Sequence, residues 1–333
     1  MTDGPMWMPL VSIMIPAYNQ DGYIADAVES ALAQDYPRLE VVVSDDASND
    51  DTGAVAKRYG TDARFRYSRN PVNRGYLANF RRLVFDLAKG DWVITLDGDD
   101  VLRDRSYIRY AIELATSEPD IVLVFAKVAR GTIDEPDPII VNEGFGPTRV
   151  IDGTQFCLQH PPLETVAPMH MTCLYRRELA LRNDFYRWSD FASYYQLMLG
   201  NKIGFLDRVA GLYRRHAGNM SSYQTFKAVR MNYEGMQQIR RTAVSGGHFT
   251  VAQGVRWMRE RTARVLLSAC KQTLLGHHPI SMPFRLLPYL LAQEPGFLAV
   301  LPATTVRSVR RIVAERRQRR RMARRVADAG PVQ

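Results

Sequence analysis

Apolar and polar positions alternate along the first 130 residues in blocks of two kinds. Short apolar runs bounded by polar or turn residues fall at 11–15, 39–43, 92–96 and 121–125, with a shorter one at 65–67. Runs of this length read as buried strands. Between them, apolar side chains recur at helical spacing. Residues 23–34 place Ile24, Ala27, Val28, Ala31 and Leu32 on one face, and 76–88 do the same with Leu77, Phe80, Val84 and Leu87. Residues 51–59 carry a weaker pattern, and 106–116 a further helix. Strands separated by helices of this length predict a mainly parallel sheet flanked by helices on both faces. After Arg130 the chain becomes loop-rich, with Pro136, Pro138, Gly144, Gly146 and Pro147 close together, and a short helix is expected at 153–160. Beyond Tyr223 the pattern is helical at 225–241, 251–275, 284–293 and 306–327. The chain therefore divides into an α/β domain, 1–222, and a helical extension, 223–333, that ends in a basic helix.

Ligands of open α/β sheets bind outside the carboxyl ends of the strands. Three expected strands end in polar clusters: Pro16-Ala17-Tyr18-Asn19, Ser44-Asp45-Asp46-Ala47-Ser48, and Asp97-Gly98-Asp99-Asp100. All three should line one edge. The last is the most informative, because three carboxylates cannot stay buried without a cation. Their hard oxygens suit Mg²⁺ or Mn²⁺, which in turn suits a phosphorylated substrate. In extended chain the side-chain period is two, so Asp97 and Asp99 are expected to point one way and Asp100 the other.

Four ordered motifs carry a resemblance. They are V-S-I-M-I-P-A-Y-N, then S-A-L-A-Q-D-Y-P-R-L-E-V-V-V-S-D-D-A-S-N-D-D-T, then N-R-G-Y-L-A-N, then G-D-W-V-I-T-L-D-G-D-D. Their order and spacing resemble the inverting, metal-dependent nucleotide-sugar glycosyltransferases called family 2. The resemblance covers residues 9–222. It implies the GT-A fold, a Rossmann-like mainly parallel sheet, followed here by the C-terminal helical extension.

The resemblance also implies roles. Pro16 and Tyr18 follow the first strand on the donor side, and the Tyr18 ring can stack on a flat base while its hydroxyl stays wet. Asp46, rather than Asp45, is the implied base-reading aspartate, since a carboxylate accepts from the imide N–H of uracil. Arg74 can meet the base or the diphosphate. Asp97, Asp99 and Asp100 match the metal-binding D-x-D in either register, and Asp99 can also reach the ribose. His216, in L-Y-R-R-H-A-G-N-M-S, can close over the metal or diphosphate, with Arg214 and Arg215 adding charge. His170, in A-P-M-H-M-T-C-L-Y-R-R-E-L, and Trp188 fall in segments on the acceptor side. Asp190 matches the catalytic base, although relatives carry Glu-Asp where this chain has Ser189-Asp190. Ser189 and Asp190 both suit a helix N-cap as well.

Composition narrows the remaining choices. Cys157, Cys173 and Cys270 form no C-x-x-C pair, so neither a zinc site nor a disulfide framework is expected, and a reducing compartment is. The first ten residues lack the basic start and long apolar core of a signal peptide. The net charge of +9 is concentrated from Arg307 to Arg325, a run with ten arginines and one acidic residue, Glu315. This tail is expected to attach a cytoplasmic enzyme to the inner, anionic face of a membrane, with the apolar stretch 286–291 adding insertion. An oligomer contact is the other use of such a helix. The expected partners are a nucleotide-sugar donor, UDP-linked by the reading of Asp46, and a glycan or lipid-linked acceptor. A nucleic-acid-binding protein led by the tail would leave four cleft motifs idle. A nucleotidyltransferase would need a glycine-rich basic loop where P-A-Y-N-Q-D-G-Y stands. A sugar-binding pseudoenzyme would not need Asp99, Asp100 and Asp190. No G-x-S-x-G or G-x-x-x-x-G-K-[ST] motif occurs.

Overall fold

The alternating blocks form the expected elements in a computed structural model that describes residues 8–159, 168–216, 225–274, 279 and 281–305. In chain order they are β1 (Val11–Ala17), α1 (Ile24–Leu32), β2 (Leu39–Asp45), α2 (Thr52–Lys57), β3 (Phe65–Arg69), α3 (Tyr76–Arg82) and β4 (Trp92–Thr95). Next come β5 (Val101–Leu102), α4 (Tyr107–Ser117), β6 (Ile121–Gly131), β7 (Ile139–Val141), β8 (Arg149–Asp152) and α5 (Gly153–Gln159). The series closes with β9 (Leu174–Arg176), α6 (Arg177–Arg182), α7 (Asp190–Met198) and β10 (Lys202–Arg214). The expected helix at 76–88 splits, because the chain widens into a π-helical segment, Leu83–Leu87, directly after α3.

One sheet collects all ten strands in the order β3-β2-β1-β4-β9-β6-β10-β5, with β7 added to β6 and β8 to β10. The long ladders, β3-β2-β1-β4 and β6-β10, are parallel. The short β9 runs antiparallel between β4 and β6 and reverses direction twice, so β6 and β10 stay parallel to β1. The carboxyl ends of β1, β2 and β4 therefore share one edge. β1 continues through Pro16 to Ala17 instead of stopping at the proline. Met14 turns its carbonyl toward β4, where it accepts from the Leu96 N–H, so Pro16, two residues on, faces the same side. Pairing with β4 has already ended at Met14↔Thr95, so the missing proline N–H removes no ladder bond.

The core is built from Val11, Ile13 and Ile15 of β1, Val41 and Val43 of β2, Ile94 of β4 and Val124 and Ala126 of β6, under Ala27, Val28 and Ala31 of α1 and Ile108 and Ala111 of α4. These are the positions that the two periodicities select. β1 and β2 are buried along their whole length, so both faces of this part of the sheet are covered.

The chain divides into two compact units, Met1–Asn219 with Ser245–His248, and Met220–Val244 with Phe249–Gln333. The second contains α8 (Phe226–Ser245, its last residue in the first unit), α9 (Val251–Leu274) and α10 (Ser281–Gln293). Tyr233 of α8 is fully buried, bonds the Thr262 hydroxyl of α9 at 3.0 Å and meets the Tyr289 ring of α10 at 5.7 Å. Glu294 draws in Arg259 and Arg240 at 3.2 and 3.5 Å. Leu286 and Leu290 of α10 are buried, so the expected insertion surface at 286–291 is not a uniform apolar patch. The outward apolar side chains are Phe284, 75% exposed, and Leu287, 36% exposed. The arginine run from Arg307 to Arg325 lies outside the described residues.

Candidate active site

The loops after β1 and β2 are fastened to each other. The Asn19 N–H donates to Ser48 Oγ at 3.0 Å, the Asn49 N–H to Asn19 Oδ1 at 2.8 Å, and the Gln20 N–H to Thr52 Oγ1 at 2.7 Å. Asn19 and Ala47 take positive φ, 51° and 62°, to make these bends. Much of the S-D-D-A-S-N-D-D-T motif is thus a clasp, and it leaves Tyr18 projecting, 44% exposed, beside the strand ends. Pro16 is buried at the end of the strand below it.

Asp46 is 2% exposed and caps no helix. Its Oδ1 accepts from Asn70 Nδ2 at 2.6 Å and the Arg74 N–H at 2.9 Å, and its Oδ2 from the Gly75 N–H at 2.8 Å. Three donors leave about one of a carboxylate's four lone-pair sites free. Asp46 therefore holds the loop that carries Arg74. The Arg74 side chain is exposed and lines a cleft of about 290 Å³ with Arg81, Arg82 and Phe85.

Asp97 to Asp100 do not continue β4 as extended chain. The Asp100 N–H bonds the Asp97 carbonyl at 2.9 Å, closing a turn. The two-residue alternation expected for this stretch fails for that reason. A turn brings its first and fourth residues together, so Asp97 and Asp100, not Asp97 and Asp99, share a face. Ligand atoms of Asp97, Asp100 and His170 all lie within 4.8 Å of one another. Asp100 is 1% exposed; its Oδ1 accepts from the Arg214 N–H at 2.9 Å, while its Oδ2 is buried with no hydrogen-bond partner among the described residues. Burial, then the charges of Asp97 and Asp99, push its carboxyl well above the usual range. A buried carboxylate oxygen with no donor, among like charges, fits a hard divalent cation.

Asp99 turns the other way, to His216, whose Nε2 lies 2.8 Å from Asp99 Oδ2. Burial and Asp97 raise the Asp99 carboxyl, and the bond to His216 opposes them. The His216 ring stacks on Tyr23, centroids 4.5 Å apart. Arg214 is buried and paired with Asp26 at 2.7 Å, so its charge serves the fold at the end of β10. His216 thus joins Asp99, whereas the imidazole beside the Asp97–Asp100 pair is that of His170.

His170 begins a 3₁₀ turn, His170–Thr172, just before β9. Its Nε2 lies 2.7 Å from Asp97 Oδ2, and its Nδ1 3.4 Å from Asp190 Oδ2. Burial opposes charge on this ring, but the two carboxylates outweigh it and raise its pKa well above the ordinary value. Asp190 is the first residue of α7, and Ser189 is the cap, its Oγ accepting from the Ala192 N–H at 3.3 Å. The Asp190 carboxylate gives only Oδ1 to the helix start, accepting from the Phe191 N–H at 2.7 Å; its side chain stays 41% exposed and Oδ2 faces His170. Burial would raise its pKa, and the bond and charge of His170 lower it, so the group is held ionised. Trp188 sits two residues earlier in the same approach to α7, partly exposed, with the Arg187 guanidinium 5.5 Å from its ring centre.

Sequence reasoning passed over Tyr76. It is 40% exposed, burial and the charge of Asp190 raise its hydroxyl pKa, and its ring meets Phe80, which in turn faces His170 at 6.4 Å. The signal was its place beside Arg74 in N-R-G-Y-L-A-N. A larger cavity, about 400 Å³ and lined by Asp120, Asp152, Thr154 and Lys202, opens at the amino ends of β6 and β10, on the opposite edge of the sheet from these groups.

Residues 12–183, just over half of the chain, match the family described as glycosyl transferase family 2. The chain belongs to that family. The glycosyltransferase GlyG of Streptococcus pneumoniae is 27% identical over 115 residues, 34% of this chain and 38% of GlyG. The poly(ribitol-phosphate) β-N-acetylglucosaminyltransferase TarS of Staphylococcus aureus is 29% identical over 122 residues, 36% of this chain and 21% of TarS. The chain thus spans well under half the length of these relatives. In structure, TarS 1–349 in complex with UDP-GlcNAc superposes with a TM-score of 0.67 at 20% identity, covering 88% of this chain and 83% of that one. The mannosyltransferase PcManGT of Pyrobaculum calidifontis, in complex with GDP-Man and Mn²⁺, does so with a TM-score of 0.53 at 15% identity over 90% and 85%. The shared fold is the GT-A fold of these glycosyltransferases.

Proposed function

We propose that this family 2 protein transfers a sugar, with inversion, from a UDP-linked donor to a hydroxyl of a glycan or lipid-linked acceptor in polysaccharide synthesis. The observation that carries the reading is the meeting of the aspartate turn and Asp190 at one sheet edge, on either side of His170. Donor groups come first. The exposed Tyr18 ring offers a stacking face, the remaining lone pair of Asp46 suits an imide N–H, and the Arg74 side chain is open to a base or a diphosphate. Asp97 and Asp100, with Asp99 beside them, would hold Mn²⁺ or Mg²⁺, which when bound supplies charge neutralisation for the departing diphosphate. His216, stacked on Tyr23, holds Asp99 in place. On the other side the ionised, half-exposed Asp190 takes the proton of the acceptor hydroxyl. Trp188, two residues before it in the chain, and Tyr76, whose hydroxyl feels its charge, offer apolar ring faces of the kind that sugars pack against. A single displacement needs no covalent nucleophile. The proposed membrane contact of the basic tail belongs with a lipid-linked acceptor.

Two measurements test the reading. UDP with Mn²⁺ should raise the melting temperature, and Asp100→Asn should remove most of the gain, because binding to the folded state stabilises it by mass action. Equal stabilisation by UDP in excess chelator would reject the cation site, and stabilisation by GDP in place of UDP would reject the uracil reading of Asp46. Asp190→Asn should lower transfer roughly 10²–10⁴-fold and leave most of the shift given by UDP with saturating Mn²⁺ in place. Near-normal turnover by this variant would place the base elsewhere.

A further inference from the structure

We infer that His170 is a positioning residue that couples the aspartate turn to Asp190, so that a divalent cation at Asp97 and Asp100 sets the placement of the base. The inference rests on the roles proposed above for those carboxylates. The His170 backbone is fixed: the Thr172 N–H bonds the Met169 carbonyl at 2.8 Å and the Cys173 N–H the His170 carbonyl at 3.0 Å, and β9 follows at once. With the backbone held, the ring moves by side-chain rotation between the two carboxylates that face its nitrogens.

The two contacts are unequal. Nε2 to Asp97 is a short hydrogen bond at 2.7 Å, while Nδ1 to Asp190, at 3.4 Å, is longer than a well-made one. Asp97 Oδ2, the oxygen His170 holds, is on one of the carboxylates of the cluster that fits a cation. A cation and the Nε2 donor compete for it. As Asp97 turns to the cation, the ring is released toward Asp190 and the longer contact can close. Asp190 is itself restrained, its Oδ1 accepting from the Phe191 N–H at 2.7 Å, so the shift fixes its second oxygen. Without Asp190, His170 would keep Asp97 as its sole carboxylate partner in this cluster and would resist the cation more strongly.

The test is a double-mutant cycle on Mn²⁺ affinity. Calorimetric titration of the full chain with Mn²⁺ alone would compare the unaltered protein, Asp190→Asn, His170→Gln and the double variant, with His170→Asn as the alternative should His170→Gln fail to fold. We expect Asp190→Asn to weaken Mn²⁺ about fivefold when His170 is present and less than about twofold when it is replaced, a coupling of ordinary size for neighbouring groups. Loss of the Asp190 charge acts through space in both backgrounds, so an equal drop in both would overturn the inference, as would no drop in either. Absence of Mn²⁺ binding by the unaltered chain would sink it together with the cation site. UDP stabilisation in chelator would then still stand as evidence for the donor reading.

Discussion

Asp45 and Asp46 are neighbours at the end of one strand and do different work. The Asp45 side chain is fully buried, with Oδ1 accepting from the Ser48 N–H at 2.8 Å and Oδ2 from the Tyr67 hydroxyl at 2.6 Å and Arg69 at 2.9 Å. Burial alone would raise its pKa, but the bonds from Ser48 and Tyr67 and the Arg69 charge together hold it below the usual carboxylate range. It is a structural anion that stitches β2, β3 and the loop into one edge, while Asp46 holds the loop that carries Arg74 through Asn70, the Arg74 N–H and the Gly75 N–H. Asp45→Asn should cost about 2 kcal/mol, the size of lost hydrogen bonds to a charged group and less than for a fully buried pair, because Arg69 remains half in water. The sign of the pH dependence follows from the lowered folded pKa. The contribution of Asp45 is complete above the unfolded value of about 4 and is lost as pH falls through the folded one. Urea unfolding of both proteins should therefore show a stability gap that is constant from neutral pH to about 5 and narrows below about 4. A gap that widens on acidification would mean that Asp45 is not held ionised by these partners.

At the scale of elements, what was legible was what is local. The apolar run 11–15 declares a buried strand, and Ala27, Val28 and Ala31 declare a helix face, within a few residues. β10 declares nothing of the kind. Asp207 and Arg208 interrupt its apolar run, and register shifts at Leu206/Val209 and Val209/Gly211 break its alternation, although it is the longest strand described. The aspartate turn shows a finer failure. Its chemistry was plain from composition, but the partner of Asp97 depended on whether the chain stayed extended, and the bond from the Asp100 N–H to the Asp97 carbonyl decided it. His170 was readable only as a residue of an acceptor-side segment. Its actual neighbours come from the end of β4, 73 positions away, and from the start of α7, and β9 brings all three together by inserting antiparallel between β4 and β6. The family resemblance supplied the list of site residues, and the sheet topology supplied their grouping.

For the whole molecule, the question is where the protein works. None of the described helices is long and apolar enough to cross a membrane. The helical unit nevertheless shows Phe284 and Leu287 on the outer face of α10 and Leu298 shortly after it, each at least 36% exposed, while Leu286 and Leu290 fill the interior. Ten arginines follow between Arg307 and Arg325 in sequence. We propose that this order in the sequence, apolar side chains and then a basic run, serves an anionic lipid surface: nucleic acid would leave the apolar side chains without a use, and a second copy would bring like charges together. Each arginine near such a surface contributes about 1 kcal/mol, and the apolar side chains add by insertion. The chain should sediment with vesicles containing phosphatidylglycerol and not with phosphatidylcholine alone, and salt should weaken it, since surface charges are screened within about 8–10 Å at physiological ionic strength. Phe284→Ser with Leu287→Ser should reduce sedimentation while the UDP and Mn²⁺ shift is kept. Truncation after Pro302 should abolish sedimentation. Unchanged sedimentation of the double serine variant would assign attachment to the arginines alone. A salt-insensitive dimer with no vesicle binding would instead make this face a contact between copies of the chain.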